Sequence, residues 1–411
     1  MEYGLMGKKL GHSYSPLIHR CFGDYDYRLC PVSEEEMAAM LRERDFRGLN
    51  VTIPYKQAVL PFCDDLSETV RAVGSANTLV LRGGRLAAHN TDLPGFRYML
   101  EKGGISLRGR KAVILGSGGT SLTAQAACRL ENAGETVVVS RSGPVDYAEM
   151  YLRHTDADVL INTTPVGMYP DTAPSPVDLR RFPRLAGVAD VIYNPARTQL
   201  LQDAEARGIP CVGGLWMLCA QGWHAARLFL GSSLTEDKIA LAYRTVREAC
   251  LNLLLIGMPG SGKTALGRMA AEKMGRKFVD LDAEIEKRHG PIPEIFAGQG
   301  EAAFREMESQ MIREYCGESG LVIAAGGGAV LRKENIPFLR RNAAVCWVHR
   351  PLRALSTEGR PLSTGMDALR RMERERTPLY RAAADFSVNN AWAAADALNT
   401  LLEGFHESAG H

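Results

Sequence analysis

At 411 residues the chain is longer than a single hydrophobic core usually supports, so two or more domains are expected. Hydrophobic residues at 45%, charged residues at 23% and 41 glycines describe a globular protein and exclude disorder, collagen and coiled coil. Lys and Arg total 49 against 47 Asp and Glu, a formal charge of +2, too balanced for a general nucleic-acid or membrane-surface binder but compatible with local anion sites.

Residues 1 to 110 hold short apolar segments, such as Leu49 to Ile53 and Asn77 to Leu81, separated by helical stretches like Glu34 to Arg44. This alternation predicts an α/β substrate domain. From Lys111 the run KAVILGSGGTSLTAQAACRL reads as strand, phosphate turn and helix. With a substrate domain ahead of this dinucleotide unit, the active site is expected in the cleft between them. The segment Thr235 to Cys250 carries Ile239, Ala242, Tyr243 and Val246 at helical spacing, with Thr235 as N-cap, and predicts the closing helix of the first unit. A second strand, turn and helix follow at once in LNLLLIGMPGSGKTALGRMAAEKM from Leu251. Two nucleotide turns of different type belong to separate α/β domains, and without a Gly/Ser/Pro linker these are expected to be held close. Trp392 to Phe405 reads as a final helix. Nine scattered cysteines with no CxxC pair point to thiols in a reducing cytosol, not to a metal site or disulfide framework. The opening MEYGLMGKKLGHSYSP lacks a signal-peptide core and no run of about 18 apolar residues occurs, so the expected location is cytoplasmic, with no membrane or nucleic-acid partner.

Gly116, Gly118 and Gly119 let the backbone approach a pyrophosphate at a helix N-terminus, although GSGGTSLTA lacks the third glycine of GxGxxG. The next strand, ETVVVSRSG, ends in Arg141, which suits a 2′-phosphate where a carboxylate would suit a ribose hydroxyl, so NADP is favoured over NAD. Upstream lie four polar clusters: GHSYSP from Gly11, GLNVTIPYK from Gly48, GSANT from Gly74 and HNTDLPG from His89. INTTPVGM from Ile161, YNPARTQLL from Tyr193 and GLWMLCAQ from Gly214 continue the series. In order and spacing these blocks resemble the shikimate dehydrogenase family over roughly residues 1 to 249.

A ketone that accepts hydride becomes an alkoxide and needs a proton donor, which a lysine with a nearby carboxylate can supply and orient. Lys56 and Asp92 are the candidates, and the resemblance implies that they sit together at the reacting carbonyl. Proton transfer by Lys56 and charge stabilisation by it both stay open. Ser13 and Ser15, two apart in an extended segment, suit a carboxylate, while Thr52, Asn77 and Gln221 suit ring hydroxyls. The resemblance adds Tyr193 to the substrate set. It gives Gly116, Ser117, Gly118, Gly119, Thr120, Ser140, Arg141, Asn162, Thr163, Val191, Gly214 and Met217 as the dinucleotide set, with Met217 near the nicotinamide. His12 and His89 have no metal-ligand spacing and read as structural. Thr120 and Leu122 depart from the family's usual alanine and basic residue.

GMPGSGKT from Gly257 to Thr264 fits G-x-x-x-x-G-K-[ST] between an apolar strand and a helix. The loop amides of Gly260, Ser261, Gly262 and Ala265 cradle phosphates, Lys263 reaches the β and γ phosphates and Thr264 ligates Mg²⁺. FVDLDAEIE with Asp280 and Asp282, GEAAFREME with Arg305 and Glu308, AAGGGAV, GRPLS with Arg360 and ERTPLYRAAAD with Arg381 follow. Together they resemble the shikimate kinase family over roughly residues 251 to 404. The resemblance implies that Asp280 helps hold Mg²⁺ and that Asp282 binds ring hydroxyls and orients or deprotonates the attacking one. It also implies that Arg305 and Arg381 grip a carboxylate, that Gly327 and Gly328 approach the substrate, and that Arg360 serves ATP from a lid. RPLRALSTEGR, from Arg350 to Arg360, is short for that lid and carries Arg353 without a clear second arginine at the family's usual position.

The expected fold is α/β throughout. Residues 1–249 would form a dehydrogenase, with residues 1–105 plus about 215–249 as substrate lobe and 106–214 as a Rossmann NADP lobe, and 250–411 a parallel P-loop kinase domain. The expected function is reduction of 3-dehydroshikimate to shikimate with NADPH, then phosphorylation of shikimate to shikimate 3-phosphate with ATP and Mg²⁺, with a homodimer as the candidate assembly. The alternatives are a first domain that oxidises quinate with NAD, and a binding module in which one half has kept its ligand site without turnover.

Overall fold

The computed structural model describes residues 2–11, 13–172, 174–231, 233–355, 366–391 and 394–410, so His12, Arg360 and Trp392 lie outside the described residues. Two compact units emerge: Met1–Tyr193 with Thr198–Val246, and Asn194–Arg197 with Arg247–His411. The helix expected from Thr235 runs Asp237–Cys250 and buries Ile239, Ala242, Tyr243 and Val246. Its last turn counts with the second unit, where Arg247 Nη2 donates to the Ser408 carbonyl at 3.2 Å and Glu248 meets His406 Nδ1 at 2.9 Å.

In the first unit, β1 (Tyr3–Gly7), β2 (Tyr27–Pro31), β3 (Gly48–Val51), β4 (Asp65–Leu66), β5 (Thr78–Arg82) and β6 (Arg85–His89) form one mixed sheet in the order β2-β1-β3-β5-β6-β4. β1 runs parallel to β2 and β3, while β5 runs antiparallel to β3 and β6. The β5/β6 register pairs Thr78 with His89, which sets Asn77 at one strand's entry beside Asn90 to Asp92 at the other's exit. The helix Glu34–Glu43 starts on a capping box in which Ser33 and Glu36 satisfy each other's backbone amides.

A second sheet of the same unit is wholly parallel: β7 (Lys111–Leu115), β8 (Glu135–Val139), β9 (Val159–Asn162), β10 (Gly187–Asp190) and β11 (Cys211–Gly213), ordered β11-β10-β9-β7-β8. Apolar runs such as VLIN in β9 are buried throughout, as strands covered on both faces require. The strand order reverses at β7, where such sheets open a ligand crevice beyond the strand ends. The helix Asp92–Lys102 lies on the helix Leu215–Leu230 at Gly95, where a Cβ would fall 2.9 Å from both Gln221 N and Met217 O. Only glycine permits that approach, and it gathers Asp92, Met217 and Gln221 around one space.

The second unit has its own parallel sheet, β12 (Asn252–Ile256), β13 (Phe278–Asp280), β14 (Val322–Ala324), β15 (Ala343–His349) and β16 (Phe386–Asn389), ordered β13-β14-β12-β15-β16. Leu253 to Ile256 are fully buried between two apolar clusters, one built on Met311, Ile312 and Tyr380 and the other on Leu266, Leu401 and Phe405. The final helix, described over Ala394–Gly410, continues past Phe405.

Candidate active sites

A cavity of about 230 Å³ opens in the first unit, and Ser13, Ser15, Thr52, Lys56, Asn77, Asp92, Tyr193 and Gln221 all line it. Lys56 Nζ donates to Asp92 Oδ2 at 2.6 Å, and Asn77 Nδ2 donates to Asp92 Oδ1 at 2.9 Å. Both carboxylate oxygens are therefore held, which fixes the ammonium they orient. Asn77 is locked in turn: its Oδ1 accepts from Thr91 N at 2.7 Å and its Nδ2 reaches Thr91 Oγ1 at 3.0 Å. Ser13 Oγ donates to Ser15 Oγ at 3.1 Å, so the two hydroxyls sit side by side as a carboxylate would need. Asn50 also lines the cavity, with Tyr27 OH donating to its Oδ1 at 2.7 Å. It was not singled out from the sequence, although it stands in the same block as Thr52 and Lys56.

Thr120, Val191, Gly214 and Met217 of the expected dinucleotide set share this cavity. Gly116 to Gly119 follow β7, with Gly116 at φ 103. Gly118 caps the helix Gly119–Leu130 without a side-chain acceptor, and while Ser121 N donates to the Gly118 carbonyl at 3.0 Å, the Gly119 and Thr120 amides are left for a phosphate. Ser117 lies in this turn, and Ser140 and the exposed Arg141 follow the adjacent strand β8. Thr163 Oγ1 donates to the Leu115 carbonyl at 2.7 Å, tying β9 to the end of β7. Asn162 departs from its expected role at the level of its side chain. It is fully buried, donates to Asp190 Oδ1 at 3.0 Å and accepts from Thr164 N and Oγ1 at 3.1 and 2.7 Å, so it braces the strand ends and presents no side-chain group to a ligand. Burial pushes the Asp190 carboxyl up to about 6.

In the second unit a cavity of about 470 Å³ sits at the C-terminal ends of the strands. Gly260, Gly262, Lys263, Thr264 and Ala265 line it from the turn after β12, while Ser261 is buried behind that turn with its carbonyl accepting from Asn390 Nδ2 at 2.8 Å. Gly262 has φ 92, a left-handed conformation that glycine adopts without strain, and it opens the helix Lys263–Met274 with no side-chain cap. Lys263 Nζ donates to the Gly257 and Met258 carbonyls at 2.9 and 3.0 Å. Thr264 Oγ1 donates to Asp280 Oδ2 at 2.7 Å, a pairing of hard oxygens that suits Mg²⁺. Asp280 Oδ1 accepts from Asp282 N at 3.1 Å, which starts the helix Leu281–His289 and sets Asp282 in the cavity wall.

Arg305 donates to Glu308 Oε2 at 2.8 Å and to Glu301 Oε1 at 3.0 Å. Gly327 and Gly328 line the same space. Arg381 does not: it is exposed, with its guanidinium 6.0 Å from the Trp347 ring centroid. The cavity holds Arg376 instead, buried and donating to the Gly327 carbonyl at 3.0 Å. Both arginines ride the helix Met366–Ala383, and five residues carry Arg381 about 140° round it from Arg376. The buried stripe Leu369, Met372, Arg376, Tyr380 and Ala383 is the helical signal that distinguishes them. Burial, with Glu308 and Asp280 nearby, pushes the Asp282 carboxyl up to about 6. Burial likewise raises Glu308 against the pull of Arg305. Asp282 Oδ1 and Glu308 Oε1 are sealed from solvent and have no hydrogen-bond partner among the described residues, so the pocket holds acceptors for a donor-rich ligand.

Residues 5–79 match the family model of the shikimate dehydrogenase substrate binding domain, and residues 259–404 that of shikimate kinase. The shikimate dehydrogenase (NADP(+)) of Caldicellulosiruptor bescii is 36% identical over 256 residues, 55% of this chain and 88% of that protein. Over its N-terminal part the chain belongs to the shikimate dehydrogenase family. Its C-terminal part is a shikimate kinase domain. The shikimate dehydrogenase (NADP(+)) of Clostridium perfringens strain SM101 is 34% identical over 58% of this chain and 96% of its own length. Among solved structures, a chorismate mutase/shikimate 5-dehydrogenase fusion protein from Clostridium acetobutylicum superposes with a TM-score of 0.56 at 32% identity, covering 60% of this chain and 97% of that one. The shikimate 5-dehydrogenase of Thermus thermophilus, in complex with NADP(H) and shikimate, gives 0.54 at 31% identity over 60% and 99%. The protein is thus a bifunctional shikimate-pathway enzyme, with oxidoreductase and kinase activities on one chain. Among the described residues, no helix of this dehydrogenase–kinase chain is long and apolar enough to cross a membrane.

Proposed function

We propose that residues 1–249 reduce 3-dehydroshikimate to shikimate with NADPH and that residues 250–411 phosphorylate the new 3-hydroxyl with MgATP. The observation that carries this reading is the 2.6 Å Lys56–Asp92 pair inside the cavity that also holds Ser13, Ser15 and Met217. The Ser13 and Ser15 hydroxyls take the ring carboxylate, and Thr52, Asn77 and Gln221 take the ring hydroxyls. Lys56 hands a proton to the carbonyl oxygen as that oxygen gains electrons, and Asp92 holds the ammonium in line. The amides from Ser117 to Thr120 face the dinucleotide pyrophosphate, and Arg141 its 2′-phosphate.

In the kinase unit, Arg305 and Arg376 grip the carboxylate and Asp282 takes the proton of the attacking hydroxyl. Lys263 and the loop amides neutralise phosphate oxygens, while Thr264 and Asp280 hold the cation. When bound, NADPH supplies the hydride, and MgATP supplies the phosphoryl group and its metal charge. Incubation with 3-dehydroshikimate, NADPH and MgATP tests the reading: shikimate 3-phosphate is expected with equimolar NADP and ADP. NADPH oxidation without ADP, or ATP use indifferent to added shikimate, would contradict it.

A further inference from the structure

Arg350 lines the kinase cavity but belongs to none of the motifs that mark the two nucleotide turns. It directly follows β15, whose Trp347 pairs in parallel register with Ile256, the last residue of β12 before the phosphate turn. A side chain leaving the sheet at this point lies beside the turn Gly257–Thr264. The acceptor-side groups leave from the opposite direction, because Asp282 follows β13 and Gly327 and Gly328 follow β14, both across β12 from β15.

The other cations of this cavity are already engaged. Lys263 donates to the Gly257 and Met258 carbonyls, Arg305 lies between Glu301 and Glu308, and Arg376 donates to the Gly327 carbonyl. Arg350 differs from all three. Its Nε, like that of Arg376, is sealed from solvent without an acceptor, but Arg376 keeps a donor on the Gly327 carbonyl, whereas among the described residues the Arg350 guanidinium has no hydrogen bond or ion pair at all. A sealed guanidinium N–H is costly unless an acceptor arrives, and a polyphosphate offers acceptors in the forked geometry that arginine prefers. Arg353, three residues on, is exposed and does not line the cavity.

We infer that Arg350 is a nucleotide-binding residue of the kinase unit, its guanidinium donating to the phosphate chain held by the turn Gly257–Thr264. The inference rests on the kinase reading above and adds to it a cation supplied from the strand next to the phosphate turn. It places Arg350 on the nucleotide and not on the carboxylate of the acceptor.

The test uses the full chain carrying Arg350→Ala or Arg350→Lys. Calorimetric titration with β,γ-imido-ATP and Mg²⁺, without acceptor, reads nucleotide affinity; steady-state assays read the KM for ATP and for shikimate separately. The alanine variant should raise the Kd of the analogue and the KM for ATP about tenfold or more. The lysine variant should lose less, because it keeps the charge but not the fork. The KM for shikimate should stay within about twofold of wild type, which also shows that the acceptor side of the unit is folded. If the alanine variant fails to fold, the lysine variant carries the same comparison. An unchanged Kd, or a raised KM for shikimate in place of ATP, overturns the inference. A wild-type chain that does not bind the analogue overturns the kinase reading and this inference with it, a result distinct from a variant that binds like wild type.

Discussion

The two cavities are expected to take the same carboxylated ring, yet they are built from opposite materials. The dehydrogenase cavity holds one ion pair, Lys56 with Asp92, among neutral hydroxyls and amides from Ser13, Ser15, Thr52, Asn77 and Gln221. The kinase cavity packs Lys263, Arg305, Arg350 and Arg376 against Asp280, Asp282, Glu286 and Glu308. The reactions explain the difference. Reduction of a carbonyl develops negative charge on a single oxygen, so one oriented ammonium suffices and other charges would only compete for it. Phosphoryl transfer must manage a polyanion and a metal while keeping a carboxylate ready to accept a proton. Crowding carboxylates there has a consequence: Asp282 is raised to about 6 by burial together with Glu308 and Asp280.

The sharpest way to break this contrast is to remove the proton-handling group on each side. Lys56→Ala should lower kcat for reduction by about 100-fold to 10,000-fold, with phosphorylation of supplied shikimate unchanged. Asp282→Asn should do the reverse by a similar factor, as separate half-reaction assays would show. Next in size is recognition of the acceptor by charge. Arg376→Ala should raise the KM for shikimate about tenfold to a hundredfold, the worth of a charged hydrogen bond, whereas Arg381→Ala should leave it within about twofold. Equal effects from the two arginines would mean that the exposed position of Arg381 does not hold when shikimate binds.

The smallest effect is on pH. Asp282 accepts a proton only when ionised, and its raised value of about 6 keeps it protonated below that pH. Kinase kcat/KM for shikimate should therefore fall about tenfold per unit as pH drops below about 6, where an ordinary carboxylate would hold the rate to about 4. Glu308→Gln removes a negative neighbour and should move the falling limb to lower pH, with Lys263 and Arg305 still pulling in that direction. A limb that stays in place in that variant would dissociate Asp282 from the proton transfer.

How far each site is legible in the sequence depends on whether its chemistry is local. The turn Gly257–Thr264 and the block Gly48–Lys56 each place their functional groups within a few residues, so their residue types suffice to find them. Arg376 and Arg381 stand in one motif, and only the helical stripe through Met372 and Tyr380 says which turns inward. Asn162 looks like a ligand from its position at a strand end, but its partner Asp190 lies on the next strand, and only the fold brings the two together at 3.0 Å. Arg350 opens the short lid stretch RPLRALSTEGR, and nothing in those residue types sets it beside the phosphate turn until β15 is known to pair with β12. The mixed order β2-β1-β3-β5-β6-β4 is likewise a matter of long-range pairing that alternating apolar segments do not specify.

On this reading one chain carries two complete and separable sites for consecutive steps. Mixing the Lys56→Ala and Asp282→Asn proteins, each inactive in one step, tests it most directly. Supplied with 3-dehydroshikimate, NADPH and MgATP, the mixture should form shikimate 3-phosphate through free shikimate, with NADP and ADP appearing in equal amounts. No product from the mixture, although each folded variant performs its remaining half-reaction, would contradict the account.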